Sequence, residues 1–218
     1  MKTATHGMIA ALIAVLATMT FAPPAAAATR SDKPEDLGSI LAELRKGGFV
    51  VYFRHGITDR TGVNDEGADL AKCETQRNLS AEGRAQEAQI GKAIQALKIP
   101  IGTVMTSPVC RCKDTARLVS GAYAVDMDLH SAVEADATET QRVAASLRRM
   151  LSTPPAAGTN TVIVAHAANL REATGIWLTE GSAYVFRPAS GGKAEAIALI
   201  LPGDWGAVAR RESSGKSK

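Results

Sequence analysis

Five apolar residues in a row, Phe49-Val50-Val51-Tyr52-Phe53, run straight into Arg54-His55-Gly56. The run reads as a buried strand. A strand that ends this way puts a guanidinium and an imidazole at the carboxyl edge of a sheet, where open α/β folds bind ligands. Gly56 lets the backbone turn sharply and approach a ligand closely. The triplet alone specifies little, but two later segments supply matching parts.

The first is Ser107-Pro108-Val109-Cys110-Arg111-Cys112, which follows the apolar stretch 101–105 and opens a helix. Arg111 therefore sits near a helix N-terminus, where backbone N–H groups also favour anions. The second is Thr161-Val162-Ile163-Val164-Ala165-His166, another buried strand that ends in a histidine. Two arginines and two imidazoles at strand ends suit a tetrahedral dianion. Arginine forks match phosphate oxygens, and one imidazole can act as nucleophile.

With these segments the chain resembles the histidine phosphatase superfamily, the phosphoglycerate-mutase-like fold, from about residue 49 to 201. Arg54-His55-Gly56 with Thr58 looks like that family's opening motif. Asn78-Leu79-Ser80-Ala81-Glu82-Gly83-Arg84-Ala85-Gln86 looks like its second. The segment from Thr106-Ser107 to Thr115-Ala116 looks like its third, and Val164-Ala165-His166 its fourth. The resemblance implies a three-layer α/β sandwich, with a mostly parallel central sheet flanked by helices. It implies catalysis by His55, His166, Arg54 and Arg111, with Thr58, Arg54, Arg111 and His166 binding the substrate phosphate. One departure stands out. Some branches follow the second histidine with an acidic aspartate, whereas Ala167 follows His166 here. The proton donor must then come from elsewhere. The segment Glu134-Ala135-Asp136-Ala137-Thr138-Glu139 lies where mutase-like branches keep a donor glutamate, and Glu134 ranks first, ahead of Asp136 and Glu139.

The rest of the chain bounds the setting. Lys2, an apolar stretch over residues 8–22, Pro23-Pro24 and an alanine run read as a secretory signal peptide over residues 1–28. The apolar core is short for a membrane span, which needs roughly 20 residues. No stable membrane anchor is expected after cleavage, and the expected site is the periplasm of a bacterium, or the exterior if the protein is secreted. The remaining 190 residues suffice for one domain with a real core, expected over 29–205, followed by a polar, disordered tail over 206–218. The net charge of +3 falls only to +2 without residues 1–28, too mild to imply nucleic acid.

Cys73, Cys110 and Cys112 all lie in the mature chain. An oxidising compartment favours one bridge and one leftover thiol. On a helix, Cys112 shares the inward face with Ala116 and Val119, so Cys73–Cys110 is the expected bridge, with Cys73–Cys112 or three reduced thiols as alternatives. No CxxC or histidine-rich spacing suggests a metal site. No cofactor is expected either, since the arginines neutralise the charge.

Single residues carry competing readings. His130 follows no motif and reads as a surface or loop histidine. Arg60, on the long polar loop over residues 57–76, and Arg77, directly after that stretch, read as solvated. Asn169 suits either a pocket or a helix cap. Thr138-Glu139-Thr140-Gln141 reads as a capping box.

The expected activity is that of a histidine acid-type phosphomonoesterase working through a phosphohistidine. Its partner would be a small phosphorylated substrate, such as an envelope sugar phosphate. The alternatives are a phosphomutase or phosphotransferase, and a non-catalytic phosphate-binding protein.

Overall fold

The structure is a computed structural model that describes residues 34–132 and 135–215. The expected signal peptide therefore lies outside the described residues. Among those described, no helix is long and apolar enough to cross a membrane.

Helix α1 (Pro34–Leu44) leads into β1 (Val50–Arg54). A long loop then reaches α2 (Ala81–Ala96), β2 (Ile101–Thr106), α3 (Cys110–Ser120) and the two-residue strand β3 (Ala124–Val125). Helix α4 (Ala137–Ser152), β4 (Asn160–Ala165), α5 (Ala167–Thr174), the hairpin β5 (Ala183–Ala189) and β6 (Lys193–Ile200), and α6 (Pro202–Gly215) complete the chain. The six strands form one sheet in the order β3-β2-β4-β1-β5-β6. β3, β2, β4 and β1 are parallel, and β5 and β6 run antiparallel at one edge.

The apolar run in β1 divides by the two-residue period of a strand. Val51 and Phe53 face one side with Val162, Val164, Leu41, Ile90, Ala116 and Trp205. Val50 and Tyr52 face the other side with Ile163, Leu147, Leu151 and Leu170. Helices α1, α2, α3 and α6 thus cover one face, and α4 and α5 the other. Both layers are apolar, which is why β1 and β4 show no polar alternation.

Two expectations need correction. Residues 206–215 are not a disordered tail but most of α6. Trp205 and Val208 are buried, and the Trp205 ring stacks on Phe53 with centroids 5.8 Å apart. Two apolar anchors at helical spacing hold an otherwise charged segment against the sheet. The cap of α4 is Asp136 rather than Thr138, its carboxylate accepting from the Glu139 N–H at 2.8 Å. Strand β3 is limited to Ala124–Val125 and is followed by a 3-10 turn, Met127–Leu129. Ser80 caps α2, accepting from the Gly83 N–H at 3.0 Å.

Candidate active site

Parallel pairing of β1 with β4 sets Arg54 opposite Ala165, so His55 and His166 leave the sheet side by side. The His55 N–H donates to the Ala165 carbonyl at 3.1 Å, extending the ladder one residue past the strand. The two rings sit edge to face with centroids 5.5 Å apart. Both are buried, His55 at 2% and His166 at 4% exposure. They line a cavity of about 660 Å3 together with Arg54, Arg77 and Arg111.

His55 is held in one tautomer. Its Nδ1 lies 2.9 Å from the Gly56 carbonyl, which can only accept, so Nδ1 carries the proton and Nε2 keeps its lone pair. Burial, then the Arg111 charge, pushes the imidazole well below its usual pKa, against the opposing pull of the Gly56 carbonyl. The ring is therefore neutral near pH 7, as a nucleophile requires. The turn is pinned by the Gly56 N–H donating to Thr115 Oγ1 at 3.0 Å. Gly56 does not need a positive φ. It needs space, because a Cβ there would stand 2.7 Å from Glu87 Oε1.

His166 begins α5, and its Nε2 lies 2.9 Å from the Ser107 hydroxyl at the end of β2. With that hydroxyl donating, the ring proton sits on Nδ1. Burial, His55 and Arg111 push this imidazole down too. Cys112 is the buried free thiol, with Sγ 3.7 Å from His166 Nε2. Desolvation lifts it to about 12, so it is an inert packing group.

The cations are not bare. Arg111 donates from Nη1 to Asp65 Oδ1 at 3.0 Å and to the Arg77 carbonyl at 3.2 Å. Arg54 donates from Nη1 to the Leu178 carbonyl at 2.8 Å, and its Nη2 lies 3.6 Å from Glu180. The Nε atoms of both arginines are buried and have no acceptor among the described residues. Glu180 collects Arg54, Arg60 and Arg77 within 4 Å and accepts from the Thr58 hydroxyl at 2.9 Å. Thr58 also accepts from Arg77. Thr58 thus serves the Glu180–Arg77 network and does not line the cavity, contrary to the expectation that it binds phosphate. Arg77, expected to be solvated, lines the cavity, whereas Arg60 is exposed as expected.

The long loop is fastened to the start of α3. Cys73 and Cys110 form the expected disulfide. Beside it, Gln76 Oε1 accepts from the Cys110 N–H at 2.8 Å, and Asp65 pairs with Arg111. These ties hold Asp65, Gln76 and Arg77 beside Arg111 in the cavity wall.

Glu134 lies outside the described residues. Asp136 and Glu139 line the cavity. Asp136 is occupied as the α4 cap. Hydrogen bonds from Arg142, then His130, hold Glu139 down to about 2, so near neutral pH it has no proton to give. His130 lies on a loop and is partly exposed, as expected, and it also lines the cavity, with Nε2 3.0 Å from Glu139 Oε1. Asn169 is a buried brace, donating to the His130 carbonyl at 2.7 Å and accepting from the Ala132 N–H at 3.3 Å.

Residues 50–135 match the model of the histidine phosphatase superfamily (branch 1). The histidine phosphatase fold is shared with the protein histidine phosphatase SixA complexed with tungstate. That structure is 16% identical with a TM-score of 0.53, and the match covers 72% of this chain and 98% of that one. A mycobacterial glucosyl-3-phosphoglycerate phosphatase is similar at 17% identity and a TM-score of 0.51, covering 70% and 98%. No curated protein matches the sequence.

Proposed function

We propose that the protein is a phosphomonoesterase that forms a phosphohistidine on His55. The observation that carries this is the Nδ1–Gly56 hydrogen bond, which leaves a neutral Nε2 facing a cavity walled by Arg54, Arg77 and Arg111. A phosphate among these guanidiniums would supply acceptors that Arg54 Nε and Arg111 Nε do not find among the described residues. Support also comes from the fold shared with a tungstate-bound histidine phosphatase, tungstate being a tetrahedral oxyanion.

In the first step His55 Nε2 bonds to phosphorus as the bond to the leaving oxygen breaks. The arginines and His166 carry the charge on the equatorial oxygens. A carboxylic acid protonates the departing alkoxide, and Glu134 is the proposed donor since Asp136 and Glu139 are otherwise engaged. Water then attacks the phosphohistidine, releasing phosphate and returning the His55 lone pair. Substrates are small phosphomonoesters, sugar phosphates among them. We place the enzyme in the bacterial periplasm, a reading supported by the Cys73–Cys110 bridge, since disulfides persist in oxidising compartments.

The test is phosphate release from a panel of phosphomonoesters by the wild type and His55→Ala. Turnover by the wild type and none by a folded His55→Ala is expected. Equal rates would overturn the assignment.

A further inference from the structure

The cavity is much larger than a phosphate. At about 660 Å3 it falls in the range that holds a whole organic ligand. Its floor is cationic, and its mouth carries exposed apolar side chains. Six large apolar side chains are exposed among the described residues, and three of them, Leu70 at 41%, Met127 at 57% and Trp177 at 56%, line this one cavity. They come from three separate segments: the long loop, the 3-10 turn after β3, and the stretch between α5 and β5. Single exposed apolar residues need no explanation, but three converging on a cavity mouth mark a binding surface.

Trp177 is also held in place. The Arg54 guanidinium lies 5.7 Å from its ring centroid and that of Arg171 5.6 Å. Both distances fit cation–π contact, which limits tilting of the indole. Because Arg54 is itself a wall of the phosphate site, the indole stands next to the place where a leaving group would emerge. A short polar alcohol, such as a serine side chain, would leave this apolar surface wet.

We propose that the mouth formed by Trp177, Met127 and Leu70 is a leaving-group subsite for a ring with an apolar face, so that the enzyme takes phosphomonoesters of ring-bearing alcohols. This rests on the phosphatase reading of the cationic floor. An aromatic ring, or a sugar ring presenting its C–H face, would lie on the indole while its phosphate reaches Arg54 and Arg111.

Two non-hydrolysable probes of matched headgroup test the subsite without relying on turnover. Benzylphosphonate and ethylphosphonate are titrated calorimetrically into wild type, Trp177→Ala and a Leu70→Asn/Met127→Gln double variant, with vanadate as a headgroup control. The double variant guards against any disturbance of Arg54 by loss of Trp177. Wild type is expected to bind the benzyl compound about tenfold or more tightly, the gain of burying one ring. Both variants should bring the ratio to within about threefold while vanadate still binds. Equal affinities in wild type, or a ratio that survives in both variants, would overturn the subsite. Binding of vanadate but of neither phosphonate would also overturn it. The benzyl preference without hydrolysis of benzyl phosphate would leave the subsite standing and sink the phosphatase reading.

Discussion

Arg111 donates from Nη1 to Oδ1 of Asp65 over 3.0 Å, so a guanidinium of the cavity wall is aimed by a carboxylate from the long loop. The same nitrogen reaches the Arg77 carbonyl, and Nε has no acceptor among the described residues. A lysine could keep the contact with Asp65 but cannot present a planar fork to two phosphate oxygens. Arg111→Lys should therefore lower kcat/KM for the best phosphate ester by at least about tenfold, as for loss of a transition-state donor. Steady-state kinetics on a variant with a cooperative melt decides it, and a smaller loss removes Arg111 from the site.

The Cys73–Cys110 bridge closes the loop that carries Asp65, Gln76 and Arg77. Reduction should destabilise the domain by up to about 2–4 kcal/mol. It should also raise KM, since those three residues then depend on hydrogen bonds alone. Denaturant titration with and without reductant, alongside kinetics, measures both. Unchanged stability and KM would mean that the bridge does not hold the site.

Glu87 is fully buried beneath Gly56, its carboxylate oxygens have no partner among the described residues, and desolvation lifts it to about 8. The unfolded chain releases this proton near pH 4.5, the folded chain near 8. Stability from this group is thus complete below pH 4.5 and declines as pH rises towards 8, by about 1.4 kcal/mol per unit at most. Glu87→Gln removes the titration. Its stability relative to wild type should grow from pH 5 to pH 8 by about 1–4 kcal/mol. Chemical melts at the two pH values test this, and a constant difference would contradict it.

Proton donation separates the acidic candidates. Glu134→Gln should slow alkyl phosphates far more than p-nitrophenyl phosphate, whose leaving group needs little protonation. Glu139→Gln should slow both alike, because Glu139 is already ionised by Arg142 and His130. The ratio of the two rates in each variant is the readout. Equal slowing by Glu134→Gln would assign it a structural role.

The strand ends were legible because each couples a strong apolar run to a charged or imidazole residue. His55, His166, Arg54 and Arg111 meet as those runs imply. The Cys73–Cys110 pair was legible because Cys112 falls on the inward face of α3. Glu180 and Asp65 were not. Each is a loop carboxylate with no motif around it, and only the arginines gathered across space explain it. His130 reaches the cavity wall through the turn after β3, whose path no local pattern specifies. Helix α6 was hidden for a different reason. Trp205 and Val208 are just two apolar anchors in a charged segment, and their value depends on Phe53 lying opposite.

The central claim is a covalent bond between His55 Nε2 and phosphorus. Wild type mixed with a phosphomonoester, quenched in alkali within milliseconds and digested, should yield one peptide carrying a base-stable, acid-labile phosphate on His55. Mass spectrometry reads its position. The same quench on His55→Ala should yield no phosphopeptide. Turnover in the wild type with no phosphate on His55 at any quench time, or with the phosphate on His166, would contradict the account.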